Sequence, residues 1–440
     1  MNIPRIALIT AFLLFLTSQA VAETLEVGPG KAFKRITDAY EKAQEGDTIL
    51  VYPKEEGVPY KKVALRVKKS NITFRAVTPP VKICGEGLIY SGKGKRPRAV
   101  FQFDEAADNC SVEGFEIFGA RNYSENGAAV RINEANNITV SNCDIHDNDM
   151  GIMSSGDGIG EKAVNQRIEY CRIHHNGSAA KEHFYHNLYL GGASAVVSFC
   201  EIYKTFKGHN VKSRAHFTLV QYCYVHDSAD REFDFVDSRE TMRPRSDAVL
   251  IGNVIVKDPD CKGNRQVIHF GKDIDYYRDG TLYLAQNTII VPARSTVVRL
   301  SSGRARASLV GNLICDDGRG SGSQRIATFG DVNDAKSITG EMNVFGRGFS
   351  DSKIASFKGK NTFGWDGSSS FVDRRAGDYK PSRPLPRSWP AKLIFLPTPP
   401  APVKYEKEGP FAWQYKQPAG REERAPEERL TVGAYSYVKE

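Results

Sequence analysis

The chain has 440 residues, of which 40% are hydrophobic and 25% are charged. This is the composition of an ordinary globular protein, and it excludes both wholesale disorder and a collagen-like repeat. With 60 Lys and Arg against 52 Asp and Glu, the net charge of +8 is mildly basic, which allows an acidic partner without requiring one.

The N-terminus has the pattern of a secretory signal peptide. Arg5 precedes an apolar run over residues 6–16, and a small-residue cleavage motif over residues 20–22 precedes Glu23. The run is too short to span a bilayer, and no later apolar stretch reaches spanning length. We therefore expect a signal peptide over residues 1–22 and a mature protein that is secreted or periplasmic, with no membrane partner.

The next segment predicts a cap for a repeat protein. An amphipathic stretch over residues 33–43 follows a short strand pattern that starts at Thr24. The exposed end of a repeat array needs a capping element. We expect a capping helix over residues 36–43.

From residue 112 onwards, the sequence repeats a unit of two short alternating strands joined by a corner residue. The corner positions are 114, 142, 170, 199, 222, 253, 287, 312 and 343. Many of them are Asn or Gly, which best tolerate a left-handed backbone at a tight corner. Helical periodicity is absent, and short β units at this period are typical of a parallel β-helix solenoid.

This pattern resembles the right-handed parallel β-helix of the pectate lyase superfamily. The resemblance implies coils of three strands, with an Asn-rich corner between the second and the third strand. The Asn residues that would occupy this corner are Asn142, Asn253, Asn287, Asn312 and Asn343. Tyr170, Phe199 and Tyr222 would interrupt that ladder.

We therefore predict an all-β protein with an N-terminal capping helix and an irregular C-terminal tail. The right-handed parallel β-helix of three-strand coils would cover residues 23–380. The proline-rich tail, residues 381–440, would pack on the β-helix.

Four of the eight cysteines, Cys143, Cys171, Cys200 and Cys223, occupy one position in successive coils. Coils in register lie about 4.8 Å apart, so we expect these side chains to stack in the core. Free buried thiols are favoured because a free Cys packs as a small hydrophobe. The spacing also permits a disulfide between adjacent coils.

If the corner separates strands two and three, the strand that follows each two-strand unit is strand one of the next coil, and in this superfamily strand one lines the substrate cleft. Alternation of side chains predicts an inward column of Ile152, Leu188, Val211, Phe235, Ile268 and Val298. The outward face would then carry Tyr189, Lys212, Arg214, Val236, His269 and Arg299. Asn187, Asn210 and Asp234 would flank this face.

Cations beside proton-transfer groups suit an acidic polysaccharide. β-Elimination from a uronate needs a positive group to neutralise the carboxylate, a base for the C5 proton, and an acid or water for the leaving O4. We assign catalysis to Lys212, Arg214, Tyr189 and His269, and expect the Arg214 charge to lower the pKa of Lys212. We assign substrate binding to Asn187, Asn210, His209, Arg231 and Arg299.

The Lys–Arg pair is also similar to the catalytic pair of the chondroitinase B and alginate lyase branch of the superfamily. That similarity implies a calcium ion beside the lysine, and Asp234 and Glu232 are the candidate ligands here. We predict a secreted polysaccharide lyase that acts on a uronate-containing polysaccharide.

Alternative functions stay open. A uronate C5-epimerase uses the same proton abstraction, and a non-catalytic polysaccharide-binding protein can have the same fold. A glycoside hydrolase needs two carboxylates on one face, whereas alternation sends Asp234 and Asp237 to opposite faces. We expect a monomer. We also expect no nucleic-acid binding, because aromatic and basic residues do not interleave along the sequence.

Overall fold

The structure is a computed structural model that describes residues 21–178, 184–319, 322–330, 333–350, 354–366, 371–382, 384–385, 388–389, 395–406, 411–424 and 430–436. Nearly all of the expected signal peptide lies outside these residues. Within these ranges, no helix is long and apolar enough to cross a membrane.

Three long parallel sheets run along the molecule. Successive strands of the chain belong to these sheets in a fixed, repeating order, and we name the sheets in that order sheet one, sheet two and sheet three. Among the described residues, sheet one has ten strands: Leu65–Val67, Ala99–Phe103, Ala128–Asn133, Met150–Ser155, His186–Leu190, His209–Ser213, Phe233–Val236, Gln266–Gly271, Thr296–Leu300 and Arg325–Phe329. In the same ranges, sheet two has twelve: Thr24–Val27, Thr48–Val51, Thr73–Ala76, Ser111–Glu113, Thr139–Ser141, Gln166–Glu169, Ser194–Ser198, Phe217–Gln221, Ala248–Ile251, Thr281–Ala285, Arg306–Val310 and Ile338–Glu341. Sheet three, counted over the described chain, also has twelve: Tyr60–Lys61, Val81–Cys84, Phe115–Phe118, Asp144–His146, Arg172–His174, Glu201–Tyr203, Tyr224–His226, Val254–Val256, Thr288–Ile290, Leu313–Cys315, Val344–Gly346 and Thr362–Trp365.

This architecture is the right-handed parallel β-helix predicted from the repeats. Each turn of chain adds one strand to each sheet, and crossovers between parallel strands are right-handed. The predicted capping helix is present as Ile36–Lys42, with Ile36 and Ala39 buried against the first coils. Lys69 Nζ donates to the backbone carbonyls of Tyr40 and Ala43, at 3.0 and 2.6 Å, and so satisfies acceptors at the helix C-terminus. Short 3₁₀ turns occur at Glu55–Gly57, Glu240–Met242, Ala335–Ser337 and Ala355–Phe357.

The inward column of sheet one is confirmed except at one strand. Val211 pairs with Phe233 rather than with Phe235, and Phe233 in turn pairs with Ile268. In the sequence Phe-Asp-Phe, either phenylalanine could pair with Val211 in the inward column. The length of the preceding loop sets the register between the strands, and alternation does not determine it. The prediction that Val236 shares a column with Lys212 is therefore wrong, because Asp234 takes that place.

The corner between sheets two and three also differs from the prediction. Asn142 has a left-handed φ of 53°, but in later coils the left-handed residue is Gly252, Gln286, Gly311 or Met342. The Asn that follows each of these lies in the column of the four cysteines. The column therefore has cysteines in its first half and asparagines in its second half. Cys223 connects the two halves, because its backbone N–H donates to Asn253 Oδ1 at 2.9 Å.

That shared column is a continuous line of buried polar contacts. Asn253 Nδ2 donates to Asn287 Oδ1 at 3.0 Å, and Asn312 Nδ2 donates to Asn343 Oδ1 at 2.8 Å. In the first half, the backbone N–H of Cys200 lies 3.4 Å from Cys223 Sγ. All eight cysteines are buried and free, which confirms the expectation of free thiols for the four in this column.

The C-terminal segment packs on the outside of sheets two and three. It forms antiparallel strand pairs: Phe371–Asp373 with Asp378–Pro381, Ser388–Trp389 with Leu430–Thr431, and Trp413–Lys416 with Gly420–Glu423. Tyr415 and Tyr435 pack against Tyr224 of sheet three, and Val403 packs against Val249 of sheet two. These clusters contain no described residue of sheet one, whose outer face carries the polar side chains considered next.

Candidate active site on sheet one

A row of side chains, one from each coil, projects from the outer face of sheet one. Strand pairing fixes their order, and adjacent strands lie about 4.8 Å apart. We call this row the outer column: Arg131, Met153, Tyr189, Lys212, Asp234, His269 and Arg299.

Asp234 lies at the centre of the site, surrounded by nitrogen donors. Its Oδ1 is 2.8 Å from His269 Nδ1 and 2.9 Å from Arg231 Nη1. Its Oδ2 is 3.2 Å from Lys212 Nζ and 3.3 Å from His209 Nε2. Burial alone would raise the pKa of Asp234, but these neighbours, His209 first, hold it well below its usual value. Asp234 is therefore a buried, permanent anion.

Lys212 lies between two carboxylates. Its Nζ is 3.2 Å from Asp234 Oδ2 and 3.0 Å from Asp273 Oδ2. Burial acts to lower the pKa of Lys212, but Asp234 and Asp273 outweigh burial and raise it. Arg214 acts to lower this pKa, as expected, but the two carboxylates outweigh Arg214 too, so Lys212 is a cation at neutral pH rather than a base.

Arg214 connects a phenol to the same carboxylate. Its Nε donates to Tyr189 OH at 3.0 Å, and its Nη2 lies 2.5 Å from Asp273 Oδ2. Lys212 and Arg214 thus share one oxygen of Asp273, beside the half-buried phenol of Tyr189. Lys212 of the outer column and Arg214, two residues further along the chain, together form a carboxylate-binding site.

The loop that presents Asp273 is held by a second aspartate. The buried Asp237 carboxylate accepts the backbone N–H groups of Asp273 at 2.6 Å, Ile274 at 3.0 Å and Tyr276 at 2.9 Å. Backbone donors of this kind fix the position of the loop relative to sheet one. Asp237 therefore positions Asp273 rather than facing the cleft.

His269 is oriented by Asp234 and faces a serine. Its Nδ1 contacts Asp234 Oδ1, and its Nε2 lies 2.6 Å from Ser301 Oγ. Burial lowers the pKa of His269 in spite of the nearby carboxylate, so the ring is neutral. Ser301 Oγ also accepts the backbone N–H of Lys272 at 2.9 Å. The order serine, histidine, aspartate is the one that activates a serine nucleophile in hydrolases.

Asn187 and Asn210, predicted to bind substrate, lie in a buried ladder. Asn187 Nδ2 donates to Asn210 Oδ1 at 2.9 Å, and Asn210 Nδ2 donates to Glu232 Oε2 at 2.6 Å. The same amide groups also donate to the backbone carbonyls of Tyr203 and His226, at 2.9 and 2.8 Å. They satisfy acceptors at the corner between sheets three and one, where strand alternation does not apply, and all three ladder side chains are fully buried.

His209 and Arg231 also act within the protein. His209 stacks on His186 with ring centroids 5.2 Å apart, and burial lowers the pKa of His209 to about 4. Arg231 binds Asp234 and Gln266. Both side chains hold the central carboxylate in place. Arg299, beside His269 at the edge of this network, is half-buried on the outer face.

The expected calcium ligands do not fit a calcium site. Glu232 accepts Asn210 Nδ2 and the Ser228 backbone N–H, and burial raises its pKa to about 7. Asp234 is already surrounded by donors, whereas calcium needs six or more oxygen ligands. Across the described residues, no group of three or more His, Cys, Asp or Glu side chains could hold a metal ion.

Three site residues were missed by sequence reasoning. Arg131 was detectable, because Val130 and Ile132 point inward and alternation sends Arg131 outward, one coil before the first strand considered. Ser301 was detectable as well, because it follows Thr296–Leu300 at the outward position that Arg214 takes after His209–Ser213. Asp273 was not detectable, because it lies in a loop whose path the alternation does not determine.

A large cavity lies away from this site. It has a volume of about 1070 Å³ and lies between sheet three and the C-terminal segment, near His226, Lys257 and Tyr379. The proton-transfer and cationic groups described above lie on the open face of sheet one instead. Because these groups follow one another along the strands of sheet one, where an extended chain can contact them in turn, sheet one is the candidate site.

No protein-family model matches the sequence, and no curated protein matches it. Among solved structures, the chain is similar to an alginate lyase from Paenibacillus sp. str. FPU-7, with a TM-score of 0.46 and 16% identity over 70% of this chain and 99% of that one. It is similar to pectate lyase Pel9A, with a TM-score of 0.46 and 13% identity over 94% and 96% of the two chains. It is also similar to a mutant DFA-IIIase from Arthrobacter chlorophenolicus A6 in complex with DFA-III, with a TM-score of 0.45 and 9% identity over 77% and 98%. The parallel β-helix itself is shown by the three long parallel sheets, and identities this low transfer no residue roles.

Proposed function

We propose that this protein is an exported polysaccharide lyase that cleaves a uronate-containing chain by β-elimination on the outer face of sheet one. One observation carries the proposal. Lys212 and Arg214 jointly bind a carboxylate, that of Asp273, next to the phenol of Tyr189. A substrate uronate would present the same group to the same two cations.

Neutralising the carboxylate is the first requirement of the reaction. The raised pKa of Lys212 keeps its ammonium charged, and Arg214 is always charged. When both bind the substrate carboxylate in place of Asp273, they stabilise the negative charge that develops as the C5 proton leaves. These two residues are the charge-stabilising pair.

Tyr189 is the proposed proton-transfer group. The Arg214 guanidinium against its oxygen stabilises negative charge there. In the proposed step the Tyr189 oxygen first gives its own proton to solvent and then takes the C5 proton, the C5 electron pair forms the C4–C5 double bond, and the C4–O4 bond breaks. The phenol then gives the proton to O4, which restores the phenolate and leaves one unsaturated and one free chain end.

The remaining assigned residues support this pair. Asp234 fixes Lys212, and His269, His209 and Arg231 fix Asp234. His269 is neutral, with its Nδ1 bound to Asp234, so it is the alternative base if Ser301 moves away from its Nε2. Arg299 stays a proposed contact for the substrate beyond His269.

Glycoside hydrolysis is less compatible with the charges. Asp234 and Asp273 both contact Lys212, so two carboxylates do face one cation. Hydrolysis needs one of them protonated as the acid, whereas the cationic neighbours lower the pKa of both. A C5-epimerase needs the same proton abstraction as a lyase but leaves the C4–O4 bond intact, so the reaction product distinguishes the two enzymes.

Ester hydrolysis is a second candidate function, favoured by the contacts that link Ser301, His269 and Asp234. The Ser301 hydroxyl would attack the carbonyl of an ester substituent while His269 takes its proton, the ester C–O bond would break as the sugar oxygen takes that proton, and water would then hydrolyse the acyl-serine. Covalent labelling of Ser301 by a fluorophosphonate, lost in Ser301→Ala, would support this candidate. Absence of labelling would remove it.

The proposal is tested by ultraviolet absorbance of unsaturated uronate. The purified protein is incubated with alginate, pectate, chondroitin, hyaluronan, heparinoids and glucuronans, each with calcium and with chelator. We expect absorbance to rise on one of them, and Lys212→Met to abolish the rise. A flat trace on all of them, with intact folding, would contradict the proposal.

A further inference from the structure

Arg131 is a half-buried cation in the outer column, two strands before Tyr189. Its Nε donates to Asn133 Oδ1 at 3.0 Å, and its Nη1 lies 3.0 Å from Met153 Sδ. Within the described part of the chain, no Asp or Glu lies within salt-bridge distance of its guanidinium. Thioether sulfur is a weak acceptor, so this guanidinium lacks the partner that a buried charge normally has.

The surroundings make this cation costly to keep. Burial, followed by the charge of Arg98, lowers the pKa of Arg131 to about 10, which still leaves it charged at neutral pH. Asp104, the acid whose charge acts to raise this pKa, is already bound to Arg66 Nη1 at 3.2 Å and to Asn133 Nδ2 at 3.1 Å. A partly desolvated charge without a counter-ion is unfavourable, and an anionic ligand would compensate it.

A basic loop borders the same coil. Residues 93–98 contain four exposed cations: Lys93, Lys95, Arg96 and Arg98. The backbone N–H of Arg98 donates to Gln102 Oε1 at 2.9 Å, and Gln102 pairs with Arg131 in sheet one. In the described ranges, none of these four side chains has a carboxylate within salt-bridge distance. Arg131 and the loop together form one positive patch at the N-terminal end of the outer column.

We propose that Arg131 and the basic loop over residues 93–98 form a distal binding site for a second acidic sugar of the polysaccharide chain. This inference rests on the proposed function of the central site. Arg131 lies three strand spacings from Lys212, which is roughly 14 Å along the sheet. A chain whose reacting carboxylate lies at Lys212 and Arg214, and which follows sheet one towards the N-terminal coils, crosses Arg131 several sugars away.

The distal binding site implies two properties of the substrate. The substrate carries anionic groups, carboxylate or sulfate, on sugars remote from the cleaved bond. It is also long enough to reach both sites, so oligosaccharides that fill only the central site bind more weakly. Electrostatic attraction by the exposed loop would fall as ionic strength rises.

The test compares oligosaccharides of increasing length from whichever polysaccharide the protein cleaves. Dissociation constants are measured by calorimetry in the Tyr189→Phe background, which prevents turnover. For Arg131→Gln we expect affinity for a long oligosaccharide to fall roughly tenfold, with a weaker salt dependence and with affinity for a disaccharide unchanged. Arg98→Gln, at an exposed position where folding is not at risk, should show the same length dependence with a smaller effect.

Arg306→Gln is the matched control, because it removes one exposed cation from sheet two. Equal affinities of the Arg131→Gln, Arg98→Gln and control proteins for the long oligosaccharide would overturn the distal site and leave the central site standing. Failure of the parent protein to bind any uronate oligosaccharide would overturn the proposed function itself. A desulfated and a sulfated oligosaccharide of equal length would show which anionic group is bound.

Discussion

The Asp273 carboxylate lies 3.0 Å from Lys212 Nζ, on the open side of the lysine, and the same oxygen is bound by Arg214. The buried Asp234 contacts the lysine as well. The protein therefore fills its own anion site with a half-exposed carboxylate on a loop. An acidic substrate has to displace Asp273 before its carboxylate can reach both cations.

Replacing Asp273 should strengthen substrate binding. In Asp273→Asn the competing charge is gone, so we expect KM for an acidic oligosaccharide to fall roughly fivefold at low salt with kcat little changed. Asp275→Asn, in the same exposed loop, is the control for loss of one negative charge. A large fall in kcat in Asp273→Asn alone would instead assign Asp273 a direct role in the reaction.

Replacing Tyr189 should remove catalysis without harming the fold. For Tyr189→Phe we expect kcat to fall by about 10²–10⁴-fold, the usual contribution of a proton-transfer group, with unchanged KM and Tm. Tyr123→Phe, on a side chain that is 85% exposed, is the matched control. If Tyr189→Phe keeps full activity and His269→Gln loses it, the base is His269.

Lys212 should contribute to stability as well as to activity. Lys212→Met leaves the buried Asp234 without one of its cations, and breaking such a pair costs about 3–5 kcal/mol of the free energy of unfolding. Denaturant unfolding measures this loss. The double variant Lys212→Met/Asp234→Asn should recover part of it, and strictly additive losses would argue against a coupled pair.

His209 should make stability depend on pH in a defined window. Its pKa is about 4 in the folded protein against 6.5 for an ordinary histidine. Between these values the unfolded chain binds the extra proton, so stability is lost as pH falls from 6.5 towards 4, by up to about 3 kcal/mol. The charged and titratable groups that face His209 are Asp234, Asp230, Lys212, Arg231 and His186.

The measurement is the free energy of unfolding against pH for the parent protein and His209→Gln. The variant should show a shallower fall across the window. The lowered pKa of Asp234 acts below its unfolded value of 3.8 and so leaves this window unaffected. Identical slopes would show that His209 keeps an ordinary pKa in the folded protein.

The Asn ladder should be required for the fold. Asn287 Nδ2 donates to Leu250 O and to Asn312 Oδ1, at 2.9 and 3.0 Å, and is fully buried. Asn287→Ala removes this donor from Leu250 O and removes the acceptor of the Asn253 backbone N–H and Nδ2, which should cost about 2–3 kcal/mol in denaturant unfolding. Asn264→Ala, outside the ladder in a partly exposed loop, should cost far less, and equal losses would contradict a special role for the ladder.

The repeats predicted the fold because each coil repeats the same inward pattern. Val211 and Ile268 were placed correctly from alternation alone. The site was less predictable, since Phe233 and Phe235 compete for the same inward position and only the preceding loop decides between them. That choice moved Asp234 from the edge of the site to its centre.

Polar residues near strand starts were the other source of error. Alternation along the strands predicts that the side chains of Asn187 and Asn210 point outward. The backbone at the corner between sheets three and one instead turns them towards buried carbonyl groups. Asp273 is contributed by a loop one coil beyond that of Asp234, and no local pattern links it to Lys212. Contacts between coils depend on loop paths, which carry no periodic signal.

The central claim is elimination at the Lys212–Arg214 site, and cleavage in heavy-oxygen water tests it most directly. A long uronate oligosaccharide is digested in such water, and the products are weighed by mass spectrometry. Elimination predicts one unsaturated product and no heavy oxygen in either new chain end. Saturated products that carry heavy oxygen at a new reducing end would show hydrolysis and contradict the account.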